Sequence, residues 1–224
     1  MAANLPNDIP NTILALNLSF NEISHLAEDS FSEGCCGHIE VLDLSNNRIS
    51  SINRYAFKNF MNLTRLTLRE NEIYEFDAQT FADLERLESL DLSYNSIKLQ
   101  NSFLIQSKLK ELLMDHCNIE EFPNEAFLNV SQLEKLSLKG NSFENFDASP
   151  FAYLSSLTEL RMHNIPRSSV DDLCKAVEGV DTIYFDGYNM SCYLLEGPDH
   201  SNIEEAVVGI DPPLILPIHH ITTE

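Results

Sequence analysis

One eleven-residue stretch constrains this chain more than any other: Ile39 to Ile49, IEVLDLSNNRI. Its apolar residues fall at the first, fourth, sixth and eleventh places (Ile39, Leu42, Leu44, Ile49), and an asparagine, Asn47, holds the ninth. Side chains alternate across a strand. Leu42 and Leu44 therefore point inward, while Val41 and Asp43 point outward and Ser45 and Asn46 flank the strand's end. So short a unit has no partner for its own apolar side. It folds only if copies stack, so that their inward residues make one continuous core and their strands one parallel sheet.

Copies are present. The pattern registers at Ile13, Leu16, Leu18, Asn21 and Ile23, again at Leu63 to Ile73, Leu87 to Ile97, Leu109 to Ile119 and Leu133 to Phe143, with Cys117 in the asparagine place of the fifth copy. Two further copies, beginning at Leu157 and Val180, have Ile165 and Tyr188 at the ninth place, as terminal turns of a stack often do. Positions 21, 47, 71, 95, 117 and 141 step by 26, 24, 24, 22 and 24 residues. The first turn thus carries two extra residues around Gly34-Cys35-Cys36-Gly37, and the fourth lacks two near Leu99 to Phe103. A second ladder, Phe31, Phe57, Phe81, Phe103, Phe127 and Phe151, runs in step with the first. Asparagine is expected to satisfy backbone groups in the tight turn closing each strand, where an unpaired buried donor or acceptor costs about 1–3 kcal/mol. Phenylalanine fills the wider back.

Units of 24 residues with this asparagine and this phenylalanine resemble the typical class of extracellular leucine-rich-repeat proteins, such as Toll receptor ectodomains, Slit and the small leucine-rich proteoglycans. The resemblance covers residues 5–192 and implies an α/β-type leucine-rich-repeat solenoid. It would be a right-handed curved stack of about seven to eight turns, with a parallel sheet on its concave face and irregular segments behind. The implied work is non-catalytic recognition of a protein ligand or receptor outside the cell, by a secreted protein or an ectodomain, with a dimer as one form. The competing reading is an intracellular leucine-rich-repeat scaffold or regulatory subunit in the cytoplasm.

The expected organisation is an N-terminal segment over 1–12, repeats over 13–165, a degenerate last turn with a C-terminal cap over 166–197, and a proline-containing tail over 198–224. The start, LPNDIPNTILALNLS, looks like the junction after a cysteine-bearing cap, which leaves the first turn uncovered. MAANLPNDIP has neither the basic nor the apolar region of a signal peptide. No apolar run approaches the ~18 residues of a membrane span. Ser168 to Glu178 reads as a short helix opened by Ser168 or Ser169, with Asp171 and Asp172 in its first turn.

A net charge of −21 excludes a nucleic-acid partner, since no basic stripe exists to displace phosphate counterions. The charge is unevenly spread. The outward strand and turn positions of the eight copies carry nine acids and six bases, a balance of −3, which leaves −18 for the flanks, back and tail. The expected protein-binding face comprises Arg65, Arg69, Asp91, Tyr94, Glu111, Asp115, His116, Lys135, Lys139, Arg161 and His163, with Phe20 nearby. Its charges fall in bands, and adjacent strands lie about 4.8 Å apart, so Glu111 should neighbour Lys135 and Asp115 should neighbour Lys139. Either these charges satisfy one another, or the banded middle is a patch for a protein.

Of five cysteines, Cys174 and Cys192 form the best pair, because both fall where the last turns must be closed against solvent. Cys117 reads as a buried small thiol. Cys35 and Cys36 either bridge elsewhere or stay free. Sequons occur at Asn17, Asn62, Asn129 and Asn189, close to the roughly three that composition alone supplies. Asn17 is an outward strand position and is less suited to a glycan than Asn62 or Asn129. No cofactor or metal site is expected: His219 and His220 lack partner ligands at a useful spacing, and the run Asp115-His116-Cys117 should split, with the thiol inward and the other two outward.

Overall fold

In the computed structural model, residues 9–190 are described, except 101, 144, 163, 164, 178, 181, 186 and 187. Each strand is as short as the repeat demands. The strands β1 (Ala15–Asn17), β3 (Val41–Asp43), β5 (Arg65–Thr67), β6 (Ser89–Asp91), β7 (Glu111–Leu113), β8 (Lys135–Leu138), β9 (Glu159–Met162) and β10 (Thr182–Phe185) lie side by side in chain order. Every neighbouring pair is parallel. A two-residue pair, β2 (His25–Leu26) with β4 (Ser51–Ile52), forms a second ladder farther along the first turns. A reversed strand, β11 (Tyr188–Met190), ends the sheet antiparallel to β10.

The register aligns Leu16, Leu42, Leu66, Leu90, Leu112, Leu136, Leu160 and Ile183 in one row. From Leu42 onward every member of that row is at most 1% exposed, and burying such a side chain is worth about 1.5–3 kcal/mol. At the β1 end Leu16 and Leu18 are half-buried, and Ile13 and Leu14 are exposed.

Asparagine does the expected work, and it serves the turn before its own. Asn95 accepts from the Ile73 amide at 3.0 Å and donates to the Leu68 and Leu92 carbonyls. Asn47, Asn71 and Asn141 repeat this arrangement. Cys117 reproduces half of it. Its thiol donates to the Leu92 carbonyl at 3.3 Å, while the Ile97 amide, which finds no side-chain acceptor there, turns to the Cys117 carbonyl at 3.1 Å.

Behind the sheet the phenylalanine ladder is buried throughout. Phe57 stacks on Phe81 with centroids 5.7 Å apart, and Phe127 meets Phe151 at 5.3 Å. Where the turns change length, an extra ring bridges the gap: Phe60 touches both Phe31 and Phe57, and Phe76 touches both Phe81 and Phe103. The shortened fourth turn is completed by buried Gln106, whose amide donates to the Phe81 and Leu84 carbonyls.

The lengthened first turn departs from expectation. Cys35 and Cys36 are joined to each other, both buried. Adjacent in sequence, they close the inserted loop on itself instead of tying it to another turn. Asn62 fixes this loop by donating to the Gly37 carbonyl at 2.6 Å. Near the other end, a single 3-10 turn spans Ser149–Tyr153 and another spans Arg167–Ser169, leading into the helix α1 (Val170–Ala176). Asp171 and Asp172 lie in its first turn, but Ser169 makes no side-chain bond to the helix end, so the expected hydroxyl cap is missing.

Candidate functional site: the edge of the concave sheet

To place the ninth residue inside the stack, the chain must turn sharply at the eighth. It does so in the same way in turn after turn: Phe20, Asn46, Glu70, Tyr94, His116 and Gly140 all have φ between 53° and 68°. This left-handed region suits glycine and asparagine and strains bulkier residues by about 1–3 kcal/mol. Asn46 and Gly140 are the sequence signal for it. Phe20, Tyr94 and His116 conceal it, and no reading of the hydrophobic pattern exposes it.

The twist throws these side chains onto the rim at the C-terminal ends of the strands, where consecutive turns bring them into a column. The Arg69 guanidinium carbon lies 4.2 Å from the centre of the Tyr94 ring. The other face of Tyr94 stacks on His116 with centroids 4.5 Å apart and planes 28° from parallel. His116 in turn covers Gly140, where a Cβ would sit 2.3 Å from the imidazole. Gly140 is thus required twice, by its φ of 68° and by the ring above it. Tyr94 remains 41% exposed, so the column is not explained by core packing.

The charged bands are neighbours as expected, but their carboxylates and cations do not satisfy one another. Glu111 and Lys135 are register partners but form no ion pair among the described residues. Glu111 accepts from the Ser89 hydroxyl at 2.7 Å, and Lys135 reaches Glu159 at 4.0 Å. Asp115 neighbours Lys139, yet it accepts from the Lys139 backbone amide (2.9 Å) and the Ser137 hydroxyl (2.6 Å) rather than from the ammonium. Asp91 accepts from the Ser93 amide, and Glu159 also takes the Arg161 guanidinium. Arg69 pairs with Glu70 at 3.2 Å. These acids close strand ends because a carboxylate beside a turn finds backbone and hydroxyl donors nearer than a long flexible cation. Among the described residues, Arg65 and Lys139 have no acceptor for their side chains.

Asp115, His116 and Cys117 are not brought together for catalysis. The Cys117 thiol points into the core, and burial pushes its pKa up to about 12, while His116 lies in the outer column. Of the sequons, Asn17 is exposed with its carbonyl taken by Ser19, Asn62 is tied to Gly37, and Asn129 is half-buried. The side chain of Asn189, His163 and Cys192 fall outside the described residues, as do His219 and His220. Cys174 is disulfide-bonded.

Residues 37–97 and 107–164 match the family model described as Leucine rich repeat. The chain belongs to the leucine-rich-repeat family. Osteomodulin of Rattus norvegicus is 34% identical over 112 residues, 49% of this chain and 25% of that protein. Toll-like receptor 2 type-2 of Gallus gallus is 28% identical over 173 residues, 76% of this chain and 19% of the receptor. Keratocan of Gallus gallus is 30% identical over 130 residues, 56% of this chain and 36% of that protein. The chain therefore spans well under half the length of these relatives. Two solved structures share the fold: human 5T4 (Wnt-activated inhibitory factor 1, trophoblast glycoprotein), with a TM-score of 0.66 at 17% identity over 81% of this chain and 72% of that one, and internalin C2 of Listeria monocytogenes str. 4b F2365, with 0.57 at 22% over 76% and 70%. No helix among the described residues of this leucine-rich-repeat chain is long and apolar enough to cross a membrane.

Proposed function

We propose that this leucine-rich-repeat chain is a non-catalytic recognition module that works outside the cell and grips a protein through its concave sheet around Arg69, Tyr94 and His116. One observation carries the reading: exposed aromatic side chains are held in a strained left-handed backbone on the sheet's rim, where asparagine or glycine would serve the fold at lower cost. The rest of the expected face surrounds this column, from Arg65 to Arg161. The extracellular setting is supported by the relatives, a receptor and proteoglycan-type proteins, and by the disulfides at Cys35–Cys36 and Cys174. On this reading Cys174 bridges to Cys192 within a cap over 166–197, 198–224 is a tail, and Asn129, whose side chain is not tied down, takes a glycan ahead of Asn62.

The test uses protein from a secreting eukaryotic cell, screened against an array of secreted and cell-surface ectodomains. Arg69→Ala/Tyr94→Ala/Lys139→Ala together should weaken each hit at least about tenfold, as loss of central contacts does, while Tyr74→Ala, exposed but not among the expected face residues, leaves it intact. Hits equally tight in the triple variant overturn the reading. Peptide mapping of the same sample reports the glycan and the bridge. Five free thiols and no glycan favour the cytoplasmic scaffold instead.

A further inference from the structure

The chain's excess of acid suggests a basic partner, and the outward positions balance to −3, but the side chains on the concave sheet that still have unused donors are cations. Four of the acids there already hold donors of the protein itself, though a neutral donor leaves the carboxylate its charge. Asp91, Asp115 and Glu111 each hold a hydroxyl or amide of their own turn or a neighbouring one, and Glu159 holds two cations. The bases are less engaged: Arg65 and Lys139 lack acceptors among the described residues, and Lys135 has only a contact at 4.0 Å. Arg69 gives Nε to Glu70, and the rest of its planar fork stays available. Screening limits the reach of the acidic flanks to about 8 Å at physiological salt, so groups at contact distance decide, and the ones with free donors are the cations.

Spacing then matters. Arg65 opens β5 and Arg69 lies two residues past its end, while Lys135 opens β8 and Lys139 follows its last residue; the two strands are three apart in the sheet, and Tyr94 and His116 fall between Arg69 and Lys139. Three steps of about 4.8 Å make about 14 Å, and four residues of extended chain at about 3.4 Å also make about 14 Å. In an extended peptide, residues i, i+2 and i+4 face one side.

We infer that the partner segment is an extended acidic peptide crossing the strands, with carboxylates at i and i+4 on the β5 and β8 cations and an aromatic residue at i+2 over Tyr94 and His116. The inference rests on the recognition reading above and names the chemistry of its partner. It predicts affinity for an acidic ligand in a protein whose own charge is −21.

Fluorescent eleven-residue peptides test it by anisotropy on the intact secreted protein: Glu-Ser-Tyr-Ser-Glu flanked by Gly-Ser, an isomer with the two glutamates adjacent, and a version with lysine for glutamate. The first should bind at least about tenfold tighter than either of the others and weaken steeply between 50 and 300 mM salt. Lys139→Glu and Arg65→Glu, checked for unchanged thermal unfolding, should each weaken it about tenfold or more. Equal binding of the spacing isomers, preference for the lysine peptide, or no binding at 1 mM overturns the inference. If these peptides fail while the ectodomain hits still depend on Arg69, Tyr94 and Lys139, the acidic-segment inference alone falls. If those hits are also indifferent to the triple variant, the recognition reading falls with it.

Discussion

At the scale of single residues, the His116–Gly140 contact makes a sharp prediction. Gly140→Ala introduces a Cβ at φ 68° and into the imidazole, and should cost about 2 kcal/mol or more, read from denaturant midpoints. Adding His116→Ala should restore the part due to the clash and leave roughly 1 kcal/mol due to the backbone. Cys117 predicts a pH effect. Its native thiol holds its proton to about 12, whereas the unfolded thiol ionises near the ordinary value of 9.0. Its contribution is therefore complete below about pH 9. It fades at about 1.4 kcal/mol per pH unit toward 12, because over that range only the unfolded chain has lost the proton. The difference in stability between wild type and Cys117→Ala should shrink accordingly, and the native thiol should not react with a disulfide reagent at pH 8. The placement of Cys117 was legible in the sequence, since it occupies a ladder position. The compensating bond from the Ile97 amide was not, because periodicity says where a side chain points and nothing about which backbone group it abandons.

Within each turn, the asparagine does more than close its own strand. Removing Asn95 strands the Ile73 amide and the Leu68 and Leu92 carbonyls, so Asn95→Ala should cost about 3 kcal/mol or more. Asn21 serves no earlier turn among the described residues; it is exposed and reaches the Leu18 and Ser19 carbonyls, so Asn21→Ala should cost less than about 1 kcal/mol. Urea midpoints at unchanged m-value check the pair. The leucine, asparagine and phenylalanine rows were all readable in advance, because a stack imposes the same environment on every copy. The column Arg69–Tyr94–His116 was only half readable. Its members appear among the expected face residues, but their contact depends on a backbone twist that tyrosine and histidine disguise. Glu111 does neighbour Lys135 and Asp115 does neighbour Lys139, but the charges do not satisfy one another there, because nearby hydroxyls and amides took the carboxylates, which a charge-banding argument leaves out. The Cys35–Cys36 bond lay beyond any spacing rule, since adjacent cysteines give no hint whether they face each other.

Over the whole molecule, stability is a sum of turns and their interfaces, so local opening should be graded. Amide exchange should be slowest in β5 to β8, which have covered turns on both sides, and faster at β1, where Leu16 and Leu18 are half-buried. Uniform exchange from β1 to β8 would contradict that gradient. The backward reach of the asparagines also gives the stack a polarity. A coil leaving the ribosome still has open amides and carbonyls until the next coil emerges and supplies its side-chain amide, so the growing chain trails one unfinished coil throughout synthesis. A message cut short would leave that coil permanently ajar, whereas loss of leading coils would not.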